Sequence, residues 1–272
     1  MERILETFRN LKKKRKRAFI AFVMAGDPTI EDSLEMLLNL PKIGTDLIEI
    51  GVPFTDPIAD GPSIQAAGLR ALEQGITLNI VLDMVQKFRE TNITTPIILM
   101  GYYNPIYSMG VQHFLEKATR CGVDGLIVVD LPPEEDDEFY FDAEKNNLSM
   151  IRLVTPTTDE KRLKKILLNA TGFIYYVSIT GITGTQAPDI KSVQGNIKKI
   201  KQVTDLPVVI GFGIRSSAQA SMISDTCDGI VIGSAVVDLI KKTLDDDGNS
   251  SDKGLVSCLD FTRQISKVLK HN

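Results

Sequence analysis

The chain is short of the residues that most often carry metal, redox or nucleophilic chemistry: it has two histidines, three cysteines and no tryptophan in 272 residues. His113 and His271 fall in helical segments away from strand ends, which disfavours a histidine-ligated metal or a histidine base. Cys121, Cys227 and Cys258 are odd in number and far apart, so neither a disulfide framework nor a zinc motif is suggested, and a reducing, cytoplasmic compartment fits best. No apolar run reaches the roughly 18 residues of a membrane span. The start carries Glu2 and Glu6 and lacks the apolar stretch of a secretory signal. A Rossmann fingerprint and a P-loop are both missing, and no lysine lies at a strand end to form a Schiff base. With 31 basic against 35 acidic residues, a net charge of -4 argues against general affinity for nucleic acid or anionic membrane. The one basic run, KKKRKR at 12–17, complements the dipole at the end of an N-terminal helix expected over 2–14.

What is present is a regular alternation of short β-branched runs with longer amphipathic segments. Strands are expected at 18–23, 46–51, 96–100, 125–129, 149–154, 173–178, 208–211 and 229–232. Helical patterns start at about 29, with Leu34, Leu37 and Leu38 at helical spacing, and lie at 63–74, 78–91, 111–120, 160–168, 190–203, 218–224, 235–244 and 253–270, with an acidic helix start, EEDDE, at 134–138. Three helix-to-strand joints share one form, Gly44-Thr45-Asp46, Gly122-Val123-Asp124 and Thr226-Cys227-Asp228, read as C-caps turning tightly into the next strand. Near-continuously apolar strands separated by helices imply a parallel sheet covered on its faces. Eight such units suit an α/β fold of the (β/α)8 TIM-barrel type, one domain over 1–272, with an extra N-terminal helix and extra helices after strands two and eight. Chemistry in such a barrel lies at the C-terminal ends of the strands.

The stretch IEIGVPFTDPIADGPSIQ, 48–65, is where those ends become informative. Alternation puts Leu47, Glu49 and Gly51 on one face of their strand, and Glu49 therefore on the inner face of the barrel. An inward carboxylate is costly unless paired, and desolvation raises its pKa into the range useful for proton transfer. Asp60, on a loop stiffened by Pro53 and Pro57 and followed by Pro62, is expected to be solvated and ionised, so that two carboxylates are tuned apart by environment. A purely structural reading pairs Glu49 with an interior Arg or Lys and uses Asp60 as a helix cap.

The last two strands end in GFGIR, 211–215, and IGSA, 232–235. Glycines there let backbone N–H groups approach an oxyanion, and a short helical turn from Ser234 would aim its positive end at the same place, the usual phosphate site of this fold. The Gly- and Thr-rich stretch SITGITGTQAPD, 178–189, has little to bury and reads as a mobile loop or a lid, with Gly184 a further phosphate donor and Thr183 within reach of Asp60. Phe22, Tyr102 and Tyr175 end near the same rim, and Met100 and Ile127 would make an apolar pocket suited to an aromatic ring. A metal-free acid/base reaction on a phosphorylated small molecule is what these residues leave.

Taken together, GVPFTDPIADGPSIQ, the TGITG stretch and the GFGI and GSA turns closely resemble the α subunit family of tryptophan synthase, over essentially the whole chain. The resemblance implies retro-aldol cleavage of indole-3-glycerol phosphate to indole and glyceraldehyde 3-phosphate. It implies no cofactor in this chain, and a β-subunit partner that holds pyridoxal phosphate and receives the indole in an α2β2 heterotetramer. It implies proton transfers by Glu49, stabilisation of charge at the indole nitrogen by Asp60, and support from Tyr175, with Thr183 orienting Asp60. Phosphate would sit on Gly184, Gly213, Gly233 and Ser234, and indole between Phe22, Met100, Tyr102 and Ile127. Loops 53–60 and 179–189 would face the β subunit. The chain departs from many members at Thr185-Gln186, where they carry Ala-Arg after the lid motif, and Arg152 and Arg215 are given no role. Another phosphate-binding barrel isomerase or synthase would need a Cys or Lys base at a strand end. A non-catalytic barrel regulating a partner enzyme would have no use for a buried acid.

Overall fold

The computed structural model describes residues 1–178, 190–211, 213–245 and 252–270. Among these, nine parallel strands form one sheet: β1 (Ala18–Met24), β2 (Leu47–Gly51), β3 (Ile97–Gly101), β4 (Gly125–Val128), β5 (Ser149–Met150), β6 (Arg152–Val154), β7 (Ile174–Val177), β8 (Val208–Gly211) and β9 (Gly229–Ile232). The order is β5-β4-β3-β2-β1-β9-β8-β7-β6. The two ends of that order are separated in the chain by Ile151 alone, so the sheet is a barrel closed through its fifth strand. The single strand expected over 149–154 is therefore two segments, because its ladder passes from β4 to β7 at Ile151.

Twelve α-helices cover the barrel among the described residues: α1 (Glu2–Lys13), α2 (Ile30–Asn39), α3 (Pro62–Glu73), α4 (Leu78–Thr91), α5 (Tyr103–Met109), α6 (Val111–Cys121), α7 (Tyr140–Lys145), α8 (Glu160–Leu168), α9 (Ile190–Lys201), α10 (Ser217–Ser224), α11 (Ser234–Lys242) and α12 (Asp252–Lys270). The pairs α3/α4 and α11/α12 follow β2 and β9, where extra helices are expected. A further one, α5, has no counterpart among the helical patterns expected from the sequence. Pro105 is tolerated there because it lies in the first turn, where backbone N–H groups have no partner within the helix. The acidic stretch forms a 3-10 turn, Pro133–Glu138, with α7 starting only at Tyr140. No helix among the described residues is long and apolar enough to cross a membrane.

Strand register sets which side chains face the barrel axis. Phe22 is level with Glu49, Glu49 with Ile98, Met100 with Ile127, and Tyr175 with Val209. Two inward glycines make room for large neighbours. A Cβ on Gly51 would stand 2.5 Å from the Phe22 ring, and one on Gly211 would stand 2.2 Å from Tyr175. Arg152 alternates outward and pairs with buried Asp136, tying the 3-10 turn to β6.

The repeated joint does more than cap helices. Gly44 and Gly122 adopt left-handed φ values of +100° and +93°, as a C-terminal glycine should. In all three joints the aspartate also clasps a residue at the start of the neighbouring strand, the second of β1 and the first of β3 and β8. The carboxylates of Asp46, Asp124 and Asp228 accept from the N–H groups of Phe19, Ile97 and Val208, each at 2.8 Å. Their own N–H groups donate back to the same residues' carbonyls at 2.9, 2.8 and 2.8 Å. Asp124 is buried and holds Arg3 at 2.8 Å and Arg89 at 2.7 Å, whereas the Asp228–Lys201 pair is about one third exposed. Removing one partner of a buried pair strands the other charge. Asp124→Ala is therefore expected to lower unfolding free energy by about 3–5 kcal/mol, against about 1 kcal/mol for Asp228→Ala, as read by urea denaturation.

Candidate active site

One cavity opens at the C-terminal ends of the strands, enclosing about 560 Å³ with its mouth included. Its polar lining is Glu49, Asp60, Tyr175, Gly213, Arg215, Gly233 and Ser234, and its apolar lining Phe22, Ile64, Met100, Ile214 and Val231. Glu49 is 1 % exposed, and its Oε2 has no hydrogen-bond partner. No interior arginine or lysine pairs with it among the described residues, so the structural reading of this glutamate fails. Burial pushes its pKa up to about 8, helped by the charge of Asp60.

Asp60 corrects the expectation of a solvated carboxylate. It is half-buried, and burial raises its pKa to about 6, against the pull of a hydrogen bond from Tyr102. The Tyr102 hydroxyl accepts from the Ala59 N–H at 3.0 Å and donates to Asp60 Oδ2 at 3.1 Å, so its single proton is committed to the carboxylate. Its ring packs 5.1 Å from that of Phe54 in the same loop. Asp60 does not cap α3 either, since the N-cap is Gly61 and no side chain caps it. The two acids remain separated in pKa, with Glu49 the higher. Tyr175 is buried beside them, and burial with the Glu49 charge keeps its hydroxyl protonated far above the usual range.

Across the cavity, Gly213 takes φ +79° just after β8, a conformation open to glycine at little cost. Gly233 is the N-cap of α11 and Ser234 its first residue. The helix expected over 235–244 runs over Ser234–Lys242, and its N-terminal N–H groups and dipole favour an anion. Among the described residues, no cluster of three or more His, Cys, Asp or Glu side chains is placed to hold a metal.

Of the residues singled out by sequence, Phe22, Glu49, Asp60, Met100, Tyr175, Gly213, Gly233 and Ser234 share this cavity. Tyr102 stands behind Asp60 and lines a smaller adjoining space with Phe22 and Met100. Ile127 is 1 % exposed and lines a separate internal space with Val52 and Phe114. Thr183 and Gly184, with the rest of 179–189, lie outside the described residues. Ile64, Ile214, Arg215 and Val231 were not anticipated. Val231 was within reach of the alternation rule, two residues before Gly233 on the same face, and Ile64 lies in the first turn after the Asp60 loop.

Comparison with known proteins is consistent along the chain. Residues 8–266 match the family described as tryptophan synthase alpha chain. The fold superposes on tryptophan synthase subunit alpha from Legionella pneumophila with a TM-score of 0.90 at 34% identity, covering 99% of each chain. A structure from Aquifex aeolicus gives 0.89 at 36% identity with the same coverage. Tryptophan synthase from Mycobacterium tuberculosis gives 0.89 at 29% identity, covering 99% of this chain and 98% of that one.

Proposed function

The chain belongs to the tryptophan synthase alpha chain family, and we propose that it cleaves indole-3-glycerol phosphate to indole and glyceraldehyde 3-phosphate by metal-free acid/base chemistry. The observation that carries this reading is the buried Glu49, whose Oε2 has no hydrogen-bond partner, in one cavity with Asp60 and the N-terminus of α11.

Cleavage of the carbon–carbon bond needs indole C3 protonated and the adjacent glycerol hydroxyl deprotonated. With a pKa near 8, Glu49 is largely protonated at neutral pH and donates to C3. Its carboxylate then takes the hydroxyl proton as the bond breaks, and the electrons return to the ring nitrogen. Glu49 ends protonated, as it began. Asp60, ionised above pH about 6, accepts the indole N–H and offsets the positive charge that C3 protonation places on the ring. The buried Tyr175 hydroxyl supports Glu49, and Gly213, Gly233 and Ser234 seat the phosphate. Phe22, Met100, Tyr102 and Ile127 belong to the apolar surroundings of the indole ring, the last two at one remove. Thr183 and Gly184 are assigned to Asp60 and phosphate by family resemblance alone.

In this reading residues 1–272 act as one cytoplasmic barrel domain that needs no cofactor of its own. Its partner is the tryptophan synthase β subunit, which holds pyridoxal phosphate, in an α2β2 assembly. Ile58, 85 % exposed on the loop ahead of Asp60, is an apolar side chain suited to such a contact. The test is indole release from indole-3-glycerol phosphate by the purified chain, with one aldehyde formed per indole. Slow release alone and much faster release with a β subunit support the assignment. A chain that binds glycerol 3-phosphate yet forms no indole under either condition would be a regulatory barrel instead.

A further inference from the structure

We propose that Arg215 is a phosphate ligand, its guanidinium supplying the cation against which the substrate's phosphate is seated beside the two glycine turns. The proposal deepens the reading above and takes the class of substrate from it.

The argument starts from charge. Arg215 is the one cation among the described residues lining the cavity, which also holds the carboxylates of Glu49 and Asp60. A phosphate monoester brings a further charge of about -1.5 to -2 at neutral pH. The N-terminus of α11 offers only about half a positive charge. Without Arg215 an anionic ligand would enter a space whose side-chain charge is wholly negative.

Position is equally favourable. Arg215 follows Gly213 by two residues, and its N–H donates to Gln219 Oε1 at 2.7 Å, which fixes its backbone at the start of α10. Its guanidinium pairs with Asp238, one turn into α11 from Ser234. Arg215 also lines the cavity together with Gly233 and Ser234 at the start of α11. It is 43% exposed, so a ligand can reach it. A guanidinium has five N–H donors in a planar fork, enough to keep one carboxylate while binding a phosphate oxygen pair.

Glycerol 3-phosphate serves as the probe, because it carries the phosphate without the indole and its binding does not depend on cleavage. By calorimetry, Arg215→Gln is expected to raise its Kd about tenfold, and Arg215→Lys to recover part of the loss. With indole-3-glycerol phosphate, the loss in Arg215→Gln should fall on KM rather than kcat. Asp238→Asn, which removes the competitor for the guanidinium, is expected to lower the Kd. A purely structural ion pair predicts otherwise: both variants would lose thermal stability, and the Kd would stay unchanged or rise alike in both. Either outcome overturns the proposal. If wild-type binding depends on Arg215 but no indole is released, the phosphate contact stands and the lyase reading falls.

Discussion

Replacing Glu49 with Gln is expected to slow indole release by roughly 1,000- to 10,000-fold, while the Kd for glycerol 3-phosphate stays within a few-fold of wild type. The substitution keeps size and neutrality but removes the proton that C3 receives and the base that takes the hydroxyl proton. The proposed anion site is elsewhere in the cavity lining, at Gly213, Gly233 and Ser234. The loss therefore falls on kcat. Equal loss of both properties would mean that Glu49 holds the fold. Stability supplies an independent check. The Glu49 pKa is about 8 in the folded chain against 4.5 for a free side chain, so the folded state binds the extra proton between those values. Wild-type stability is then lost progressively as pH rises from 4.5 through 8. Glu49→Gln has no such proton to lose, and at pH 9 it should exceed wild type by on the order of 3–5 kcal/mol, the difference vanishing below pH 4.5.

Asp60→Asn is expected to cost roughly 100- to 1,000-fold in kcat/KM. An amide cannot offset the positive charge on the protonated indole ring, although the Tyr102 hydroxyl can still donate to its oxygen and hold the loop. The same variant should lose the acidic limb of the pH dependence. A loss under tenfold, with that limb intact, would place the stabilising charge elsewhere.

Much of this site follows from local rules acting on short stretches. Alternation along 47–51 is enough to send Glu49 inward, and glycine turns at the ends of β8 and β9 mark where an anion can approach. The burial of Asp60 is not a local property. It depends on a tyrosine some forty residues later whose hydroxyl reaches back to both Ala59 and Asp60. The split of the fifth strand reflects a change of ladder partner at Ile151, which propensity does not encode. Helix α5 escapes periodicity because seven residues make under two turns and include Pro105. Arg215 gained meaning only once α11 placed Asp238 and Ser234 beside it. In each case the missing information is which distant element comes to lie alongside.

The central claim is that two carboxylates in one cavity work in opposite protonation states, Glu49 as acid and Asp60 as anion. The most direct test is the pH dependence of kcat/KM for indole release by the wild-type chain. The predicted profile is bell-shaped, rising as Asp60 ionises near pH 6 and falling as Glu49 loses its proton near pH 8. A rate that stays level from pH 5 to pH 9, or one that keeps rising beyond pH 8, would contradict it.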